Sequence, residues 1–453
     1  MKTLIIDNIF LTQAIFGILH LGCVSAAVVY CCRTGNNLYN KSTMLAFIVM
    51  LGFVLSVFKH YILGAYAHLS YPYNTFLFTP DDRFNDFFNM LRACKDNNPY
   101  LTSYWLKSVY FPAANTFFYV FGLIRNELLS LGVYIGVFLI AYLSYIKKNL
   151  FWVNSLDSIR DFLIIGFLTY PVLFSLDRAN LEMYIFLLIL GFVVFFQKGR
   201  FVLSSLLLSL AIAMKLYPGV FIFLFFKEKK YKEIAITIAA TLCISVISLM
   251  GYRGGFYENL QEMFSLFQGF NQSYSGAHGL QHNVSYYGVL KLITVGYYYT
   301  VQGIHDAATA SMLANGVLKI PYMFLVGLIF AFVVLHVLKY EQTYWKNVYL
   351  LSATMILFPH VSFDYKLIHL LIPIIIFLQD ESWTPFRKGY LVLFGIMLIP
   401  NNYLYIRGDI SIAVIVYPII MTILAILVII ERMIYQSKAI PKSCTGIQFP
   451  RVD

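Results

Sequence analysis

Long apolar runs alternate with short polar loops along this chain. The runs are centred near residues 9–32, 43–66, 128–146, 161–176, 181–197, 231–252, 317–338, 344–359, 364–379, 387–400 and 410–432. Each is read as a helix crossing a hydrocarbon core roughly 30 Å thick, the run at 387–400 being short for the task. The pattern therefore predicts an all-α polytopic membrane protein with about eleven transmembrane helices. The segment 201–226, FVLSSLLLSLAIAMKLYPGVFIFLFF, breaks the alternation because both of its flanks are strongly basic. Two half-length helices that turn back at Lys215, Leu216, Tyr217, Pro218 and Gly219 keep both flanks on one side, as a re-entrant pair. The alternative is one tilted span in which Lys215 snorkels. Between the second and third runs lies TPDDRFNDFFNMLRACKDNNPY, from Thr79 to Tyr100. Thr79 and Pro80 predict a helix start, with Asp81 and Asp82 at its positive end. Asp86 would lie a turn further in, sharing one face with Asp82 and Asn89 while Phe84, Phe88 and Leu91 share another, as in an amphipathic helix on the bilayer. A second interfacial helix is expected between Asn98 and Pro112.

Composition removes the soluble alternatives. Apolar residues make up 60% of the 453 and charged residues 12%, with a mean hydropathy of +0.72, so a soluble globule is excluded. The net charge of +11 does not point to nucleic acid, because the basic residues sit in alternate short loops. Lys147 and Lys148, Lys198 and Arg200, the stretch 227–232, Lys339 and Lys346, Arg387 and Lys388, Arg432, Lys438 and Lys442 mark the cytoplasmic side. The N-terminus is then outside and the tail 433–453 cytoplasmic. One integral-membrane domain, 1–453, is expected, with an outer catalytic loop at 67–127 and another outer loop at 251–287. The first run lacks a basic start and is kept as a span. Six cysteines show no disulfide or metal-ligand spacing, and the sequons at Asn40, Asn271 and Asn283 are short enough to arise by chance.

The polar residues on the opposite side carry the candidate chemistry. Asp86 is the carboxylate left over once helix capping is accounted for. Lys215, at the tip of the re-entrant pair, is costly without an anionic partner and so is a site candidate. Asp177, Arg178, Ala179 and Asn180, followed by Glu182, fill an outer turn. Asp177 and Arg178 there would neutralise each other or, with Asn180, Arg178 would hold a phosphate or a sugar hydroxyl. The loop at 251–287 offers FNQSYSGAHGLQHNVSYYG, suited to carbohydrate and, more commonly, to any solvated loop. His278 and His282 are separated by Gly279, which weakens a metal-binding helix. His360, Asp364 and Lys366 crowd the turn at 358–366. Arg407 and Asp409 are read as a surface pair.

Taken in order, several stretches resemble the GT-C glycosyltransferases, most closely glycosyltransferase family 87. They are Asp86 in NDFFNML, Asn98-Pro99-Tyr100, the Tyr110-Phe111-Pro112 bend, DRANLEMYIFLL from Asp177, the KGR turn, Lys215 to Pro218, NQS from Asn271, and the Pro359 and Ser362 turn. The likeness covers about residues 70–380. It implies a GT-C-like bundle with outer-face juxtamembrane helices, acting as an inverting hexosyltransferase that uses a polyprenyl-phosphate sugar, most simply mannose, and a lipid-linked or cell-envelope glycan acceptor. Asp86 inherits the role of general base, and Lys215, helped by Arg178 and Lys366, meets the donor phosphate. Asn180, Tyr100, His360, Asp364 and Asn271 are the substrate-binding candidates. The family's late turn carries Trp and His after the Ser, where this chain has Phe363, Asp364, Tyr365 and Lys366. No metal and no cofactor is assigned, since protein cations suffice for a monophosphate leaving group. The membrane expected is a bacterial plasma membrane, with the site facing outside. A glycan polymerase or ligase, a secondary transporter and a non-catalytic scaffold are the rival readings. The glycosyltransferase reading rests on the expectation of a single cleft shared by Asp86 and Lys215.

Overall fold

The computed structural model describes residues 8–33, 41–150, 156–277, 279–380 and 386–436. Asn40, His278, Lys438, Lys442 and the tail beyond 436 lie outside the described residues. The architecture is a helical bundle with one small hairpin, β1 (Tyr405–Arg407) against β2 (Ile410–Ser411). Six described helices are long and apolar enough to cross a membrane, within α1 (Ile9–Arg33), α2 (Lys41–His60, extended by a wider turn to Tyr66), α5 (Glu127–Leu150), α11 (Tyr231–Met250), α14 (Ala307–Lys339) and α18 (Ala413–Gln436). A seventh is formed if α6 (Leu156–Phe167) and α7 (Tyr170–Arg178), bent by 52°, count as one span. The bend follows from Pro171 in the first turn of α7 and from Thr169, which adopts an extended conformation ahead of it.

The other apolar runs form shorter helices: α8 (Glu182–Gln197), α15 (Tyr344–Leu357), α16 (Leu371–Gln379) and α17 (Arg387–Leu398). Every residue of α15 after Tyr344 is buried. A helix packed on every side belongs to the interior of the bundle.

The outer segment departs from its expected form. Thr79 and Pro80 open only a 3-10 turn, Pro80–Asp82, and Thr79 makes no side-chain cap. Arg83 is extended and Phe84 is left-handed, with φ 60°, and only then does α3 (Asn85–Cys94) begin. Asp86 therefore sits in the first turn of a helix, where the dipole favours a carboxylate, and not a turn inside it. The break has a tertiary cause: Arg83 Nε donates to Asp177 at 3.0 Å, and Phe84 N–H donates to the Asp177 carbonyl at 2.8 Å. The expected helix between Asn98 and Pro112 is also absent, the chain there being irregular. Pro112 instead occupies the first turn of α4 (Pro112–Gly122), where its missing N–H costs nothing. Phe87 pins α3 to the bundle, its ring 4.7 Å from that of Tyr134.

The segment 201–230 runs out and back. α9 (Phe201–Met214) leads to Lys215, a 3-10 turn (Tyr217–Phe221) follows, and α10 (Ile222–Lys227) returns. The Lys230 ammonium lies 4.4 Å from the centre of the Phe201 ring, so the two ends of the segment meet. Other basic residues gather at that same end of the bundle. Lys227 donates to Val337 O at 2.8 Å, Lys346 pairs with Glu431 at 2.9 Å, and Arg432 donates to Tyr340 O at 2.6 Å.

Candidate active site

At the opposite end, α3, α7, α8 and the tip after α9 bring their polar residues together. Asp86 accepts from the Arg178 guanidinium and, at 2.7 Å, from the Asn180 side-chain amide. The same guanidinium donates to the Asp82 carboxylate at 2.7 Å and lies 4.1 Å from the centre of the Phe78 ring. Arg178 and Asn180 flank Ala179, the left-handed residue (φ 46°) that ends α7, so one tight turn aims both groups at Asp86. Arg178, expected to face a phosphate, is committed to two carboxylates. Asp177, beside it, pairs with Arg83 instead.

Glu182, the first residue of α8, holds the second half of the site. Its fully buried carboxylate accepts from Lys215 at 2.5 Å, from the Tyr217 hydroxyl, and lies 3.0 Å from His369 Nε2. Lys215 thus has the anionic partner that an interior cation requires. It lies level with the first turn of α8. Three rings surround its ammonium, those of Tyr110 at 5.0 Å and of Tyr217 and Tyr365 at 5.9 Å. Such faces are electron-rich and favour a cation. The Asn180 amide that reaches Asp86 also lies 3.4 Å from the Tyr110 hydroxyl. Asp86 and Lys215 therefore stand on two sides of Tyr110, the carboxylate near its hydroxyl and the ammonium over its ring.

Lys366 is buried nearby, its ammonium 4.3 Å from the centre of the Tyr217 ring. Its one hydrogen bond is long, 3.4 Å to Val361 O, and no carboxylate pairs with it among the described residues. Beside Tyr217 opens an apolar groove of about 380 Å³, walled by Val220, Tyr322, Val326, Gly327, Phe330 and Phe358. Its rim includes Met323, on the exposed face of α14.

The remaining candidates lie around this centre. Tyr100 is fully buried and its hydroxyl donates to Tyr110 O at 2.9 Å, so it stands behind Tyr110. Asp364 is buried against the Tyr170 hydroxyl and His282 Nδ1, the latter at 3.1 Å. His360 packs its ring against Tyr287 at 4.6 Å, and its carbonyl accepts from Asn283 at 3.0 Å. Asn283 is itself fully buried and fastens the outer loop to the turn at 360–362. Asn271 is exposed on a wide helical turn, Asn271–Ala277. Tyr274 on the same turn packs against Phe363, and its phenol, in the field of Asp86 and Arg178, is pushed up to about 12 by burial. Glu182, Tyr217, Tyr365, His369 and Tyr274 were not singled out from sequence. Glu182 had a signal: it is a carboxylate at the head of an apolar run, and Lys215 called for a partner.

The family model of glycosyltransferase family 87 matches residues 109–359, more than half of the chain. The matched stretch includes Tyr110, Arg178, Asn180, Glu182 and Lys215. Asp86 lies upstream of it and Lys366 downstream. No curated protein matches the chain.

Proposed function

This chain belongs to glycosyltransferase family 87 and is an integral-membrane glycosyltransferase, and from that premise we propose transfer of a hexose, most simply mannose, from a polyprenyl-phosphate carrier to a lipid-linked or cell-envelope glycan. The carrying observation is the buried Lys366 ammonium, which has no carboxylate within ion-pair distance among the described residues and lies over the ring of Tyr217, itself on the wall of an apolar groove that opens on the exposed face of α14. A phosphate would complete its charge and an isoprenoid chain would fill the groove. A nucleotide sugar has no use for such a wall. Family membership also disfavours a transporter or a scaffold.

In this reading the acceptor hydroxyl oxygen attacks the anomeric carbon while its proton passes to Asp86. The bond from that carbon to the phosphate oxygen breaks on the opposite face of the ring, and the electron pair stays with the polyprenyl phosphate. Inversion follows from the single displacement. Lys366 stabilises the charge growing on the departing phosphate, and Lys215 adds to the field although Glu182 balances it. Arg178 and Asn180 orient Asp86, so the phosphate role first given to Arg178 passes to the lysines.

We further propose eleven crossings with 201–226 as a re-entrant pair, which the contact of Lys230 with Phe201 supports. The basic loops lie at the end of the bundle away from Asp86. By the positive-inside rule this favours an active face outside, in a bacterial plasma membrane. The test is purified protein in lipid nanodiscs with radiolabelled polyprenyl-phosphate hexoses and membrane lipid acceptors. Labelled product from wild type and none from Asp86→Asn is expected. Equal product from Asp86→Asn removes the base, and product from nucleotide sugars alone removes the donor.

A further inference from the structure

A second cavity, of about 640 Å³, lies at the far end of α3 and is lined by Asn97, Asn115, Tyr119, Ser248, Tyr252 and Arg253 among others. Arg253 is exposed, and its guanidinium makes no ion pair or hydrogen bond among the described residues. The side chains of Asn97, Tyr119 and Ser248 are likewise unpaired there. No carboxylate lines the cavity. Three unspent polar side chains around one cation favour an anion with several acceptor oxygens, for which a guanidinium fork is suited. Part of the wall is apolar and open: Ile247 and Tyr119 are exposed, and Ile247 lies in the last turn of the candidate span α11. The neighbouring loops are held firmly, with Asn98 Nδ2 donating to Asn259 Oδ1 at 2.6 Å and Arg253 N–H donating to Asn97 O at 3.3 Å.

We propose that this cavity binds the phosphate headgroup of an anionic membrane phospholipid, with Arg253 on the phosphate and Asn97, Ser248 and Tyr119 on its oxygens or on headgroup hydroxyls. The lipid's acyl chains run past Ile247 into the bilayer. The site is separate from the carboxylate and lysines that carry the proposed transfer. Asp86 is the second residue of α3 and Cys94, on the cavity wall, is its last. The two are about 12 Å apart at the rise of an α-helix, so an occupied cavity steadies the helix that carries the base.

The test is native mass spectrometry of the full-length protein from nanodiscs of phosphatidylcholine with or without phosphatidylglycerol, a readout independent of sugar transfer. Wild type is expected to retain one phosphatidylglycerol that Arg253→Ala loses, with binding weaker by roughly tenfold or more. Arg253→Lys should recover part of it. In discs of phosphatidylcholine alone, Arg253→Ala should melt and turn over as wild type does. Equal phosphatidylglycerol retention by wild type and Arg253→Ala overturns the proposal. So does displacement of the lipid by millimolar inorganic phosphate, which would make the site one for a free anion.

Discussion

Glu182 and Lys215 meet at 2.5 Å with the glutamate wholly out of solvent, joining the first turn of α8 to the tip that follows α9. The cation that looked bare in sequence is neutralised, which changes the charge available to a ligand. A buried pair contributes little net stability over an apolar pair, but loss of one member leaves the other stranded. Lys366, by contrast, meets no carboxylate within ion-pair distance among the described residues.

Glu182→Gln should therefore lower stability by about 3–5 kcal/mol, and Lys215→Met by a similar amount. The double variant should recover most of the loss. Thermal unfolding in nanodiscs reads this cycle, and additive single effects would contradict the pairing.

Asp86→Asn should lower the transfer rate by about a hundredfold to ten-thousandfold, the range for losing a general base, with the donor KM little changed. Arg178→Lys keeps the charge but loses the fork that spans Asp82 and Asp86. It should reduce kcat in the same direction, more weakly. Steady-state kinetics separates these effects from loss of fold.

Lys366→Met should raise the donor KM by roughly 10–100-fold, the worth of a hydrogen bond to a charged group. Lys366→Arg should restore much of it. An unchanged KM in Lys366→Met would take this lysine away from the phosphate.

A Cβ added at Gly327 meets nothing within 4 Å, so Gly327→Leu should fold normally while placing its side chain in the apolar groove. Donors with a long isoprenoid chain should lose affinity and those with a short chain should not. Competition between chain lengths measures this, and equal inhibition of both would argue against the groove as the chain's path.

Ala179 is fully buried with φ 46° between Arg178 and Asn180. Ala179→Gly should change stability by less than about 1 kcal/mol. Ala179→Val should cost about 2–4 kcal/mol through backbone strain and overpacking, and should reduce kcat because both neighbours hold Asp86. Unfolding temperature and kcat together check it.

Some of the site was legible in the chain. Asp86 stood out because no cap explained it, and Lys215 because a cation in an apolar run requires a partner. Asp82 and Asp86 were expected on one face, and both do bind Arg178, although the helix imagined to unite them is broken at Phe84. That break depends on Asp177, 93 positions later in the chain, and no local pattern encodes it. Tyr110 entered only as part of a bend before Pro112, whereas packing sets its hydroxyl by the Asn180 amide that reaches Asp86 and its ring under the Lys215 ammonium.

Hydrophobic length and the placement of basic loops determined that this is a helical membrane protein with its polar residues sorted to two ends, because transfer into hydrocarbon depends on composition over a run of neighbours. Tertiary structure alone decided that Glu182 answers Lys215, that Arg178 serves Asp86, and that Lys366 meets no carboxylate among the described residues. Ionic and hydrogen-bonded partners are chosen by proximity in space, and helices packed side by side bring together residues that sequence spacing keeps far apart.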